Sequence, residues 1–156
     1  MTRFFPFTID VRELTLTQLA ASRIDDVETK GPRSATVSFT TIDVERLDDG
    51  FAVATSYEVS LTNVTGEQFA SLKSQYTISF VTSENVPEDL DPESEARLQL
   101  AAAEVTHPYH RQALLGLTQQ FEIPSFRLAV QFPRADFVES FFAQAEREQE
   151  QVQDER

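Results

Sequence analysis

The chain has 156 residues, with 26 acidic against 13 basic side chains and a formal net charge of −13 at pH 7. That field repels phosphate backbones and argues against nucleic acid as a partner. The absence of cysteine excludes a disulfide framework, thiolate catalysis and cysteine zinc sites. No apolar run approaches the ~18 residues a membrane span requires, so no membrane insertion is expected. "MTRFFPF" is too short for a signal peptide, and the expected location is cytoplasmic. The apolar residues include thirteen Phe and no Trp, more rings than a small core needs. A surplus of this kind suits a groove or a subunit contact, with burial of every ring in the core as the other reading, since aromatic side chains bury large areas.

"FTIDVRELTLTQLAAS" alternates at Phe7, Ile9 and Val11 and resumes in the opposite phase at Leu14 and Leu16. The phase flip predicts a strand with a bulge. "RIDDVETKGPRS" follows, charged and carrying Gly31-Pro32, and reads as a long loop. "SATVSFTTIDVERL" alternates at Ala35, Val37 and Phe39, then shifts to Ile42 and Val44. "LDDG" predicts a hairpin turn, with Asp-Gly supplying positive φ. "FAVATSYEVSLTNV" places Phe51, Val53, Tyr57, Val59 and Leu61 on one side and small or hydroxylic residues on the other. After a turn at Thr65-Gly66-Glu67, "FASLKSQYTISFVTS" sets Leu72, Tyr76, Ile78 and Phe80 in register. These runs predict an antiparallel meander, covered on one face and wet on the other.

Asp91-Pro92 is a helix cap and first-turn pair, and Leu98, Ala102 and Val105 follow at helical spacing. Pro108 is expected to end that helix, with a second one restarting from Tyr109 through Ala113, Leu114 and Leu117. "FEIPSFRLAVQFP" reads as extended, with Phe126, Leu128, Val130 and Phe132 on alternate positions. A last helix is expected from about Arg134, with Phe137, Val138, Phe141, Phe142 and Ala145 in one stripe. The organisation predicted is one α+β domain over residues 1–145, a four-stranded antiparallel sheet with helices on one face. Residues 146–156 form a polar acidic tail, expected to be disordered.

Chemistry is sparse. His107 and His110, the only histidines, stand three apart, a spacing that can share a metal when both sit on one helix. A residue before proline is pushed out of the α region, so the two rings are expected to diverge. Glu104, the third candidate ligand, would lie across the break. No G-x-S-x-G occurs, and there are four glycines in all, too few for a phosphate-cradling loop. Adjacent acids such as Asp25-Asp26 and Asp48-Asp49 lie in turns, where Asp bonds its own backbone. The expectation is a non-enzyme with no catalytic residue, no metal and no cofactor.

"HPYHRQALLGLTQQFEIPSFRL" resembles the SecB family of export chaperones, in which Pro-Tyr and an arginine start the long helix and a loop ending in Pro and an extended apolar piece follow. Pro108, Tyr109 and Arg111 match the start, Pro124 and Leu128 the later part, and "FPRADFVESFFAQ" resembles the family's last helix. The resemblance implies a homotetramer, a dimer of dimers with long helices sandwiched between sheets. Its function would be ATP-independent holding of unfolded or pre-export polypeptides in apolar grooves. The groove candidates by position are Ile24, Val27, Phe39, Phe126, Phe137, Phe141 and Phe142. Pro108, Tyr109, Arg111 and Gly116 would belong to the subunit-contact helix. Proteobacterial members of that family dock the SecA motor through carboxylates on the outer sheet face. That face here is mainly Ser and Thr with Lys73, Glu58, Asp43 and Glu45, and does not reproduce the docking set. SecB-like proteins also protect antitoxins, which makes an antitoxin the other expected partner. A dedicated interaction module with a single partner is the alternative from another class.

Overall fold

The computed structural model describes residues 9–27, 33–82, 85–124, 126 and 128–139, apart from the side chain at position 43. Four strands, β1 (Ile9–Arg23), β2 (Ser34–Leu47), β3 (Gly50–Thr62) and β4 (Gln68–Thr82), precede one helix, α1 (Pro92–Gln120). The strands form a single antiparallel sheet in the order β1-β4-β3-β2. The first two strands therefore occupy opposite edges. Just beyond β1 the Ile24 amide donates to the Phe69 carbonyl at 2.8 Å. Gly31-Pro32 lies outside the described residues.

Each change of hydrophobic phase is a break in strand register. β1 slips against β4 between Val11 and Glu13 and again between Leu16 and Gln18. β2 slips against β3 between Thr41 and Val44, so Phe39 and Val44 both reach the core side while Ile42 stays 45% exposed. The two hairpin turns differ. Gly66 takes a φ of 83°, the left-handed conformation its turn requires. At "LDDG" the expectation fails: among the described residues the only positive-φ positions are Gly66 and Glu122. Gly50 is required for space instead. A Cβ there would stand 1.8 Å from the Phe80 carbonyl oxygen on the neighbouring strand.

α1 begins as its sequence dictates. Asp91 accepts from the Ser94 amide at 2.9 Å and the Ser94 hydroxyl at 2.7 Å, with Pro92 in the first turn and Glu93 and Glu95 at the positive end of the dipole. The Ser94 hydroxyl and amide hold the Asp91 carboxyl below the usual range. The helix then runs unbroken for 29 residues, about 44 Å at 1.5 Å per residue, straight through Pro108. The predicted break is therefore wrong. Proline removes the amide that would bond the Glu104 carbonyl, but both residues are on the exposed side, where solvent can reach that carbonyl. The buried side of the helix loses nothing. The far end closes with the Phe121 amide on Leu117 O at 3.0 Å and the Ile123 amide on Thr118 O at 2.9 Å. Glu122 holds the left-handed position, φ 52°, that glycine usually fills at such an end.

α1 lies on β4 and β3 and reaches the two edge strands less. Its first half closes an apolar cluster of Phe51, Val53, Ile78, Phe80, Leu98 and Ala102. Its second half closes another, built from Tyr57, Val59, Leu61, Phe69, Leu72, Leu114, Leu117 and Ile123. The opposite sheet face is polar, carrying the Lys73–Glu58 ion pair at 2.6 Å. Past the helix, the described residues between 121 and 133 are irregular and a short helical turn follows at 134–139. Phe141, Phe142 and the acidic tail lie outside the described residues.

Candidate functional site

Continuity through Pro108 decides what the histidines do. With no break, His107 and His110 fall on the same buried side of one helix, 2% and 0% exposed. The prediction that their rings diverge is overturned. They sit between the two apolar clusters, in a polar seam that links α1 to β3 and β4.

The seam can be read proton by proton. The Thr106 hydroxyl donates to the Ala102 carbonyl at 2.8 Å, and the Thr55 hydroxyl donates to Thr106 Oγ1 at 2.9 Å. Thr55 Oγ1 must then accept from His110 Nε2 at 2.9 Å, which places the ring proton on Nε2. His110 Nδ1 is left to accept from the Ser74 hydroxyl at 2.7 Å. Ser74, Thr55 and Thr106 are all fully buried, so this chain satisfies groups that would otherwise be costly to bury. It requires a neutral imidazole. Burial, reinforced by the neighbouring His107, holds His110 at about 4 against an ordinary 6.5.

His107 makes the second link. The Ala129 carbonyl, 2.7 Å from Nε2, can only accept, so Nε2 carries a proton there. Nδ1 meets the Tyr57 hydroxyl at 2.8 Å. Burial pushes the Tyr57 phenol up to about 12, which keeps it a donor. All four ring nitrogens thus have protein partners. Glu104, the proposed third metal ligand, instead meets Arg134 Nη1 at 3.5 Å. Among the described residues no cluster of three or more His, Cys, Asp or Glu could hold a metal ion.

His107 and Arg134 together tie the segment 128–137 back over the sheet, and this tie builds an aromatic cluster at the β2 edge. Phe39 lies 4.7 Å from the Tyr57 ring, 5.0 Å from Phe132 and 6.0 Å from Phe137. Phe132 and Phe137 are 5.5 Å apart, and Phe132 sits 5.8 Å from His107. Edge-to-face contacts at these distances are favourable beyond their buried area. Phe39, Phe132 and Phe137 are only half-buried, so the cluster presents apolar surface outward.

The groove candidates divide accordingly. Phe39 and Phe137 meet in that cluster, and Val27 and Phe126 pack nearby against the apolar group around Tyr57. Ile24 stands 48% exposed just beyond β1. Phe132 was missed, although its alternate spacing with Phe126 and Leu128 was visible. The second set is also split. Pro108, Tyr109, Arg111 and Gly116 are all exposed, in the middle and second half of α1 rather than at a helix start. Tyr109 and Gly116 line an open groove of about 370 Å³ with Leu16, Leu19, Tyr76 and Ala113. A Cβ at Gly116 would meet nothing within 4 Å. Leu16, Leu19 and Tyr109 are each more than 40% exposed on this side, a concentration of apolar surface that suits a partner.

No family model and no curated protein matches the chain. Its fold does have solved counterparts. It superposes on a SecB-like chaperone of Mycobacterium tuberculosis, solved in complex with a ChAD peptide from an antitoxin, with a TM-score of 0.66. Identity is 17%, over 78% of this chain and 89% of that one. A protein of unknown function from Streptococcus agalactiae matches at a TM-score of 0.46 and 8% identity, over 80% of this chain and 99% of the other. The four-stranded sheet and the long helix packed on one face make a SecB-like fold. No described helix is long and apolar enough to cross a membrane.

Proposed function

We propose that the chain is an ATP-independent holdase that receives non-native polypeptide segments at the Phe39–Phe132–Phe137 surface. The observation that carries this reading is that cluster: half-buried rings at the open β2 edge, on a SecB-like fold. Holding asks for apolar area and solubility, and for no catalytic group. Apolar burial contributes roughly 25 cal/mol per Å² before ordering costs are subtracted, and the charge of −13 keeps a loaded complex dispersed. Val27 and Phe126 extend the proposed surface, with Ile24 at its rim.

The assembly proposed is a homotetramer, a dimer of dimers. The exposed Tyr109 and Gly116, beside Leu16 and Leu19, are the surface offered to a second copy, with Pro108, Arg111 and Leu115 on the adjoining solvent-facing flank of α1. Light scattering should return four times the chain mass of 17.6 kDa; a monomer would remove this part of the proposal.

Among clients, an antitoxin suits the chain better than pre-export proteins handed to SecA, because Glu58 on the outer face is already paired with Lys73. The solved neighbour holds an antitoxin peptide, which also keeps open a narrower role as an interaction module with one partner. Aggregation of a heat-unfolded client, followed by turbidity, separates the two. A general holdase suppresses it near stoichiometric amounts for unrelated clients. Suppression of none at several-fold excess, beside capture of one dominant protein from a lysate, would favour the module.

A further inference from the structure

The His110 seam and the segment 128–137 are parts of one mechanical path. Tyr57 packs its ring 5.0 Å from His110 and gives its hydroxyl to His107, and His107 holds the Ala129 carbonyl. Ala129 in turn belongs to the segment that lays Phe132 and Phe137 over Phe39. Position of the aromatic strap thus depends on where α1 sits, and α1 sits on a hydrogen-bond chain with one permitted proton arrangement.

The groups that face His110 offer a second ring proton no counter-charge. β3 presents Thr55 and Tyr57, β4 presents Ser74 and Tyr76, α1 presents Thr106 and His107, and β2 presents Phe39. None of these is a carboxylate, and the Arg134–Glu104 pair of the strap lies outside the seam, half-exposed. A proton on Nδ1 would confront the Ser74 hydroxyl hydrogen. Ser74 would have to turn away from its only acceptor there, leaving a buried cation beside His107.

We infer that the seam is an acid-sensitive latch: protonation of His110 unseats the middle of α1, breaks the Tyr57–His107–Ala129 tie and releases the strap from Phe39. The depressed affinity of His110 for a proton sets the window, with the latch closed above pH 6.5 and opening as pH falls toward about 4. Acid would then uncover aromatic surface while the two apolar clusters keep the sheet and the helix ends folded.

The chain has no tryptophan, so Phe132→Trp supplies a single reporter on the strap. Its emission should shift to the red between pH 6.5 and 4, while far-UV circular dichroism keeps most of its helix signal. In a His110→Gln background, where the amide can donate and accept without charging, the shift should vanish from that range. A reporter that stays blue down to pH 4, or a shift that persists unchanged in His110→Gln, would overturn the latch. Should the double variant not fold at pH 7, proton NMR of the two imidazoles in the wild type decides. His110 must titrate well below 6.5 and together with the appearance of exchange-broadened strap signals, and titration at or above 6.5 overturns the proposal. No client is present in either experiment, so their outcome is independent of holding activity.

Discussion

The ends of α1 and its middle are fastened to the same sheet by different physics. At the ends, Leu98 and Ala102 on one side and Leu114 and Leu117 on the other close apolar clusters that are indifferent to pH and to orientation. In the middle, Thr106 and His110 engage Thr55 and Ser74 through bonds that need each proton in one place. The ends supply stability and the middle supplies register: an apolar helix could slide by a turn, whereas the polar chain fits one alignment. It also places a titrating group where no solvent can answer for it.

The largest expected effect lies at the ends. Leu114→Ala should cost about 2–5 kcal/mol, the usual range for a fully buried leucine, and urea unfolding should give the same loss at pH 7 and pH 5. A loss that changed with pH would mean the ends and the middle are not separable. Next comes acid itself. Because His110 is held at about 4 in the fold, the unfolded chain takes up the proton first. Stability is therefore full above pH 6.5 and declines as pH drops to 4, by roughly 3 kcal/mol if the whole shift is expressed. Urea titrations of wild type and His110→Gln across that interval should isolate this contribution as their difference.

Thr55→Val tests the middle by shape-matched deletion. It leaves His110 Nε2–H without an acceptor and removes the donor to Thr106, so a loss of about 1–3 kcal/mol is expected. Equal stability would show that the seam is not a connected chain. Smallest is a gain at the helix end. Glu122→Gly relieves the left-handed backbone and should stabilise by a few tenths to about 1 kcal/mol, read as a raised Tm.

The sheet was legible because its signal is local. Each flip of alternation, at Val11 to Leu14 and at Phe39 to Ile42, marks a real register shift. The turn at Gly66 and the Asp91 cap follow from chemistry within three or four residues. The helix break failed because proline was weighed alone. Leu98, Ala102, Thr106, His110 and Leu114 recur every fourth residue without losing phase, and this run crosses Pro108 intact. Reading Thr106 and His110 as core residues would have revealed both the single helix and the seam. Gly50 was misread for a similar reason: its need for space comes from Phe80, thirty residues away, and no short window contains it. The partners of the histidines, Thr55, Ser74, Tyr57 and the Ala129 carbonyl, come from three separate segments, which only folding brings together. The aromatic cluster was half visible, with Phe39 and Phe137 named and Phe132 overlooked.

The central claim is that the Phe39 surface holds non-native chains. Its most direct test is the affinity of an unfolded, reduced client for wild type, Phe39→Asp and Val64→Asp, measured by fluorescence anisotropy at pH 7.5. Val64 is 67% exposed in the β3–β4 turn and serves as a charge-matched control away from the cluster. The account predicts at least a tenfold loss of affinity in Phe39→Asp, with circular dichroism unchanged, and wild-type binding in Val64→Asp. Equal binding by all three proteins would contradict it.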